Sequence, residues 1–406
     1  MLHRSVDNNP FRPGFGAVPE VWAGRDDALR LHSHERHARI RGRYTRGVVF
    51  VGPSGIGKSV LANRFAEDSA ALGDLVLAPV RIARRSDPIA QIAGVVSSAR
   101  DSIAGDGLAD VIERGLRRLK VISIKGVELA MSEEGITNPH VALTESLVDI
   151  GTILARENAR REPERRRALV LRIDEVQNAD NTQRSAILAA VGDLLEKQVE
   201  IEVGDGAGTT VMEYLPVLVF LTGLPDLLNR ATTVDTFRRR FNTQTLGMLA
   251  DADVSDRLSR PLGGAEVRVD PRAVDRITQL VAGDPYLFQL VGQHAWNASD
   301  GPVIAVQDVE RADRETYADR LRLVEAAVDD IPEGEMVVLR AVYELLADDL
   351  TVTGAEVADH LGKTQPEIAP AAQRLERRAV ITRDWGRWRV ENRLLYRYIT
   401  TGDILP

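Results

Sequence analysis

Residues 47–59 read Gly47-Val48-Val49-Phe50-Val51-Gly52-Pro53-Ser54-Gly55-Ile56-Gly57-Lys58-Ser59. Glycines at 52, 55 and 57 permit tight turns that aim backbone N–H groups at phosphate oxygens. The apolar run before the loop reads as a strand, and the pattern from Lys58 onward reads as a helix. Such a helix starts with its positive end toward a bound anion. In this Walker A spacing, Lys58 reaches β- and γ-phosphates and the Ser59 hydroxyl ligates Mg²⁺. Pro53, Ser54, Gly55, Ile56, Gly57 and Val60 complete the nucleotide-binding segment. The strand-before, helix-after context argues against a mere glycine-rich turn. ATP or ADP with Mg²⁺ is the expected ligand.

A second constellation follows at Leu169-Val170-Leu171-Arg172-Ile173-Asp174-Glu175. The apolar residues predict a buried strand, and the two acids emerge at its C-terminal end, where ligands of open α/β sheets bind. Asp174 is the expected Mg²⁺ partner, and Glu175 is placed to orient and polarise an attacking water. Read alone, the pair could equally be a helix cap or surface feature. A further strand over residues 217–221 ends in Thr222-Gly223, a polar step suited to holding the lytic water or sensing the γ-phosphate, or simply to capping the strand. The cluster Phe237-Arg238-Arg239-Arg240-Phe241 offers guanidiniums. Arg239 or Arg240 could reach a neighbouring subunit's ATP as a finger, or meet DNA or an acidic surface.

The elements that must position these groups follow an α/β order. Residues 1–20 read as an irregular arm, and 21–246 as an α/β core with a mainly parallel sheet covered on both faces. Helical patterns occupy residues 26–43, 58–71, 88–99, 142–160 and 182–197, with strands at 47–51, 75–82, 169–173 and 217–222. Residues 108–119 read as helix, 121–129 as β-like, and 135–138 and 204–210 as loops. Beyond residue 247 strand signals fade. Residues 247–330 read as a helical lid and linker, with helices at 271–281, 286–296 and 309–328.

Composition limits the class. The chain has 406 residues, 44% hydrophobic and 28% charged, enough for two or three domains with cores. With no Cys, disulfides, thiolate metal sites and a cysteine nucleophile are excluded. No run approaches a membrane span, and the segment around His3 and Arg4 lacks a secretory pattern, so a soluble cytoplasmic protein is expected. Net charge is −8 but uneven: residues 25–46 hold seven Arg against three acids, and residues 374–397 eight Arg against three. Such local basic surface suits nucleic acid, or is simply solvated helix.

At these motifs the chain resembles the AAA+ superfamily, and more closely the STAND proteins and the Orc1/Cdc6-like origin-recognition proteins. The entry Val21-Trp22-Ala23-Gly24-Arg25-Asp26-Asp27-Ala28-Leu29 is similar to the box that precedes their Walker A loop. The resemblance implies that Gly24 and Arg25 lie near the adenine, and that Thr222 is the sensor-1 residue. Gly283-Asp284-Pro285-Tyr286 resembles the Gly-x-Pro step that opens the lid's sensor-2 helix, placing Pro285 toward the nucleotide. No Arg stands around Pro285, which favours the STAND comparison over fast motors. A long insertion between residues 82 and 169, and the lack of an aromatic-glycine pore loop, speak against an unfoldase or ring helicase.

Residues 331–406 form the last module. Helical stretches at 336–346, 353–361 and 365–377 precede a hairpin at 380–383 and 387–390, an order resembling a winged helix-turn-helix. Thr353 and Glu356 have capping-box spacing. For DNA binding, Lys363, Arg374, Arg377 and Arg378 line the third helix, while Arg383, Arg387 and Arg389 sit on the wing. Glu367, Glu376 and Pro366 interrupt that surface, so docking of a protein stays open. Trp385 and Trp388 read as core or interface residues, with the hairpin position slightly favouring the core. Together these readings describe an Mg²⁺-dependent ATPase switch coupling nucleotide state to double-stranded DNA or to a protein partner or homo-oligomer. The alternative is a nucleotide-stabilised interaction scaffold with little turnover.

Overall fold

The structure, a computed structural model, describes residues 4–14, 16–84, 86–99, 139–202, 209–224, 239–264, 266–346, 351–378 and 380–405. The elements expected at 108–119, 121–129 and 135–138, most of the 204–210 loop, and Phe237 and Arg238 lie outside them. The chain divides into two compact units. One comprises Asp26–Val51 and Leu61–Thr245, the other Met1–Arg25, Gly52–Val60 and Leu246–Pro406.

The first unit holds α1 (Asp26–Arg39), β1 (Gly47–Val51), most of α2 (Lys58–Ala71), β2 (Leu75–Val76), β3 (Val80–Arg81), α3 (Pro88–Ala99) and α4 (Pro139–Ala159). It continues through β4 (Leu169–Asp174), α5 (Asn181–Glu196), β5 (Gln198–Glu202), β6 (Thr210–Tyr214), β7 (Val217–Gly223) and β8 (Phe241–Thr245). The sheet runs β2-β4-β7-β1-β8, with β3 also on β4, and every pairing in it is parallel. All residues of β1 and β7 are buried, which is why both read as unbroken apolar runs. The single strand expected over 75–82 is two short ones; Pro79 between them has no N–H to donate to a ladder. Strand β8 and the antiparallel β5–β6 hairpin are additions to the expected set.

The arginine-rich stretch around α1 serves this unit's own interior. Arg36 makes a two-pronged ion pair with Asp74, at 2.7 and 2.9 Å. Arg39 is fully buried and donates to the Thr45 hydroxyl at 2.9 Å and the Leu195 carbonyl at 3.0 Å, while burial lowers its pKa to about 10. For these two residues the charge is structural rather than a solvated binding face.

The second unit holds the first turn of α2, then α6 (Asp251–Ser259), β9 (Arg268–Val269), α7 (Pro271–Val281), α8 (Pro285–Asn297), β10 (Val303–Ile304) and α9 (Val306–Asp329). The N-terminal segment is part of its core. Phe11 is 1% exposed and packs edge-on against Phe288, and Arg4 is buried against Asp308 at 3.1 Å. A side chain at Gly292 would strike the Phe11 ring at 2.4 Å, so glycine is what lets the arm lie on α8.

The unit ends in α10 (Glu333–Leu345), β11 (Val352–Thr353), α11 (Gly354–His360), α12 (Gln365–Arg378), β12 (Ile381–Asp384), β13 (Arg387–Val390) and α13 (Arg393–Thr401). Strands β11-β13-β12 form an antiparallel sheet beside three helices, the winged-helix arrangement. The Thr353–Glu356 capping box forms as the spacing indicates. Strand β11 and helix α13 are additions; α13 is capped by Asn392 and closed by Gly402 at φ 79°.

Candidate functional site

The glycine loop leaves β1 at Val51, whose partner in the sheet is Gly223 at the end of β7. Gly52 passes so close to the Leu246 backbone that a Cβ would lie 2.4 Å from its carbonyl oxygen; only glycine fits. Gly55 and Gly57 have φ of 79° and 93°, with no atom within 4 Å of where a Cβ would stand. That leaves an open backbone concavity of the kind that holds phosphate. Ile56 is buried at 2% exposure and pins the loop, whereas Ser54 and Gly55 are exposed. The Lys58 ammonium donates to the carbonyls of Gly52 at 2.9 Å and Pro53 at 2.6 Å, which holds the charge at the loop. Ser59 and Val60 follow on the half-buried first turn of α2. These residues fit a nucleotide's phosphates.

The acidic end of β4 is built separately, within the first unit. Strand β7 lies between β1 and β4, so Thr222 stands beside both. Its hydroxyl donates to the Asp174 carboxylate and accepts from the Glu175 amide at 3.2 Å; that amide also meets Asp174 at 3.1 Å. Asp174, Glu175 and Thr222 are therefore brought together, as three residues from two neighbouring strand ends. Glu175 has φ 60°, a left-handed conformation rare for a residue with a side chain and concentrated at functional sites. Its carboxylate accepts from the side chain of Gln177, which in turn accepts from the Leu224 amide at 3.2 Å. Sequence reasoning passed over Gln177; its position two residues after the acidic pair was the available signal. Among the described residues no cluster of three or more His, Asp or Glu could hold a metal alone. Magnesium would rely on few protein ligands and on nucleotide phosphates, its usual habit.

In the second unit, Gly24 and Arg25 both have positive φ, 62° and 70°. A Cβ at Gly24 would lie 2.8 Å from the Asp253 carboxylate, and Arg25 donates to the Gly247 carbonyl at 2.6 Å. Burial lowers the Arg25 pKa, opposed by the charges of Asp253 and Glu391. At the Gly-Asp-Pro step, Ala282 and Gly283 turn through positive φ, and Asp284 caps α8 by accepting from Tyr286 and Leu287. Burial pushes the Asp284 carboxyl up despite those amides. Pro285 sits in the first turn, where a missing N–H costs nothing. The step does have an arginine beside it after all: Arg393 of α13 donates to the Ala282 carbonyl at 3.3 Å and grips Asp251 with two bonds. Sequence proximity to Pro285 gave no hint of it.

The candidate finger residues differ. Arg240 is held by Asp193 at 3.1 Å and Glu196 at 2.8 Å, whereas the Arg239 side chain is exposed. In the winged module, Arg374 and Arg378 both bind Glu335, a carboxylate 3% exposed, at 2.6 and 3.2 Å. Arg387 donates to the hydroxyl and carbonyl of Thr351, and Arg389 pairs with Asp384 at 3.4 Å. Lys363 and Arg377 are exposed. The two wing tryptophans part company. Trp388 is buried and bonds Glu376 at 2.6 Å, but Trp385 is 98% exposed, because it occupies the turn rather than an inward strand position.

No protein-family model matches the chain, and no curated protein matches it. Solved structures do. A Walker-type ATPase of Pyrococcus abyssi superposes with a TM-score of 0.57 at 12% identity, over 93% of this chain and 96% of that one. Looser likenesses are Cdc6p from Pyrobaculum aerophilum, with a TM-score of 0.44 at 14% identity over 98% of both chains, and the RuvB Holliday junction branch migration motor of Thermotoga maritima. The latter has a TM-score of 0.42 at 13% identity, over 93% of this chain and 95% of that one. The fold shared with the Pyrococcus protein is a parallel-sheet P-loop α/β core with a helical lid and a C-terminal winged-helix region.

Proposed function

We propose that this chain is an Mg²⁺-dependent ATP-binding and ATP-hydrolysing switch that couples nucleotide state to DNA binding or partner assembly through its winged helix. The observation that carries the reading is the joining of Asp174, Glu175 and Thr222 at two strand ends, with Glu175 in a strained backbone conformation. An acidic pair serving as a cap has no need of that strain. The amides of Gly55–Ser59 take the phosphates, and Lys58 exchanges its loop carbonyls for β- and γ-phosphate oxygens. Ser59 and Asp174 would hold Mg²⁺, which when bound would neutralise charge developing on those oxygens. Glu175 orients the attacking water and draws on its proton, and Thr222 holds that water or reads the γ-phosphate. Gly24, Arg25 and Pro285 line the base side of the nucleotide, and Arg239 supplies the finger in preference to the tethered Arg240.

Phosphate release measured with Lys58→Ala and Glu175→Gln tests the chemistry. Each substitution should lower turnover about 100-fold or more; turnover indifferent to both removes the catalytic assignment. A second reading, a nucleotide-stabilised scaffold with little turnover, draws support from Arg393. Its guanidinium, which bonds the Ala282 carbonyl at the Gly-Asp-Pro step, is committed to Asp251. Slow wild-type turnover with intact binding would favour it. On the DNA side, Lys363 and Arg377 present charge to phosphates, with Arg374, Arg378, Arg387 and Arg389 as contributors already partnered within the module.

A further inference from the structure

Trp385 is the most exposed large apolar residue among those described, at 98%. The other three tryptophans are packed and bonded through their indole N–H groups: Trp22 to Pro19, Trp296 to Ser5 and Trp388 to Glu376. Trp385 and Gly386 form the two-residue connection between β12 and β13, since Asp384 pairs directly with Arg387. Both have positive φ, 49° and 82°. Asn, Asp or Gly ordinarily fill the first place of such a turn, and a bulky side chain there is strained. The residue thus carries a backbone penalty and exposes a large ring, and neither helps the module fold.

The surroundings indicate what the ring meets. Residues 381–390 hold three Arg against Asp384, a local excess of two positive charges on a protein of net charge −8. Arg383 and Arg389 are exposed on the strands that carry the tip, and Arg387 is half-buried. A protein hot spot built on Trp sits among apolar neighbours that exclude water. Here no other exposed large hydrophobic residue lies on the described part of the hairpin. One aromatic ring on a narrow arginine-flanked tip instead suits stacking on a nucleobase while phosphates are clamped on either side.

We infer that Trp385 is a base-stacking wedge for duplex DNA, and that it prefers a duplex with an unpaired base. This rests on the DNA-binding branch of the function proposed above. Insertion into an intact stack must first unstack a step, at a cost the contact has to repay. A bulged site exposes a base face already, so the ring stacks without that penalty.

The test is a binding titration of the full-length protein against a short labelled duplex and the same duplex with one unpaired nucleotide, each at several salt concentrations. Trp385→Ala should weaken binding to the bulged duplex about ten-fold or more, abolish the preference for the bulge, and leave the salt slope unchanged. Trp385→Phe should retain most of the preference. Arg383→Gln with Arg389→Gln should lower the salt slope by about 2 on both duplexes. If wild type binds DNA and Trp385→Ala binds the bulged duplex equally well, the wedge is overturned while DNA binding stands. If wild type binds neither duplex, the DNA reading fails and the wedge with it.

Discussion

Asp174 and Glu175 are adjacent in sequence but have different environments. The Thr222 hydroxyl is bonded to the Asp174 carboxylate, whereas the Glu175 carboxylate is tied to Gln177, itself fixed by the Leu224 amide. Under the proposed function, Gln177 would position the acid that orients water. Gln177→Ala is expected to lower kcat about ten-fold with a smaller change in KM, since a misplaced base weakens the transition state more than ground-state binding. Equal losses in kcat for Gln177→Ala and Gln177→Glu, with unchanged KM, would fit; full activity in Gln177→Ala would not. His32 shows the same logic applied to stability. It stacks on Phe65, bonds Ser69 at 2.9 Å, and burial lowers its pKa to about 4, with Asp68 and Asp74 opposing and Arg36 assisting. The unfolded chain, with an ordinary pKa of about 6.5, binds the proton more readily than the folded one. This contribution is thus complete above that value and lost as pH falls toward 4, at a total of about 3 kcal/mol. His32→Gln should flatten the fall in Tm across that window; an unchanged slope would place the acid sensitivity elsewhere.

Elements were legible where one force dominated. Strands β1, β4 and β7 are buried on both faces and show as apolar runs, while α2, α3 and α7 match their sequence boundaries. Strand β8 was hidden because Phe-Asn-Thr-Gln-Thr is an edge strand with a single buried side chain, and its pairing with β1 overrides a polar composition. The β5–β6 hairpin is likewise half-exposed. Helix α13 did leave signals, Asn392 at its start and Gly402 at its end, but lay beyond a module that already looked complete. The glycine loop, Asp174, Glu175 and Thr222 could be picked out from residue types and spacing. Arg393 could not, since it matters through partners distant in sequence, and Gln177 left only its place two residues after the acidic pair. The capping box of α11 gives a direct check on the winged module. Thr353→Ala removes bonds to the Glu356 amide and carboxylate, and should cost about 1 kcal/mol. Chemical denaturation of the full chain measures it, and a change below about 0.3 kcal/mol would show that the cap is dispensable.

Of the two units, the first has the sheet and the acidic cluster, and the second the glycine loop, the lid helices and the winged module. A ligand that binds the folded chain alone must raise its stability by mass action, whatever its turnover. Thermal unfolding with and without ATP and Mg²⁺ therefore reads the central claim most directly. At nucleotide about 100-fold above Kd the folded state should gain about 2.7 kcal/mol, seen as a Tm rise of several degrees. The rise should vanish in Lys58→Ala and persist in Glu175→Gln, which keeps the phosphate loop and loses only the water-orienting acid. No rise in the wild-type protein, or an equal rise in Lys58→Ala, would contradict the account.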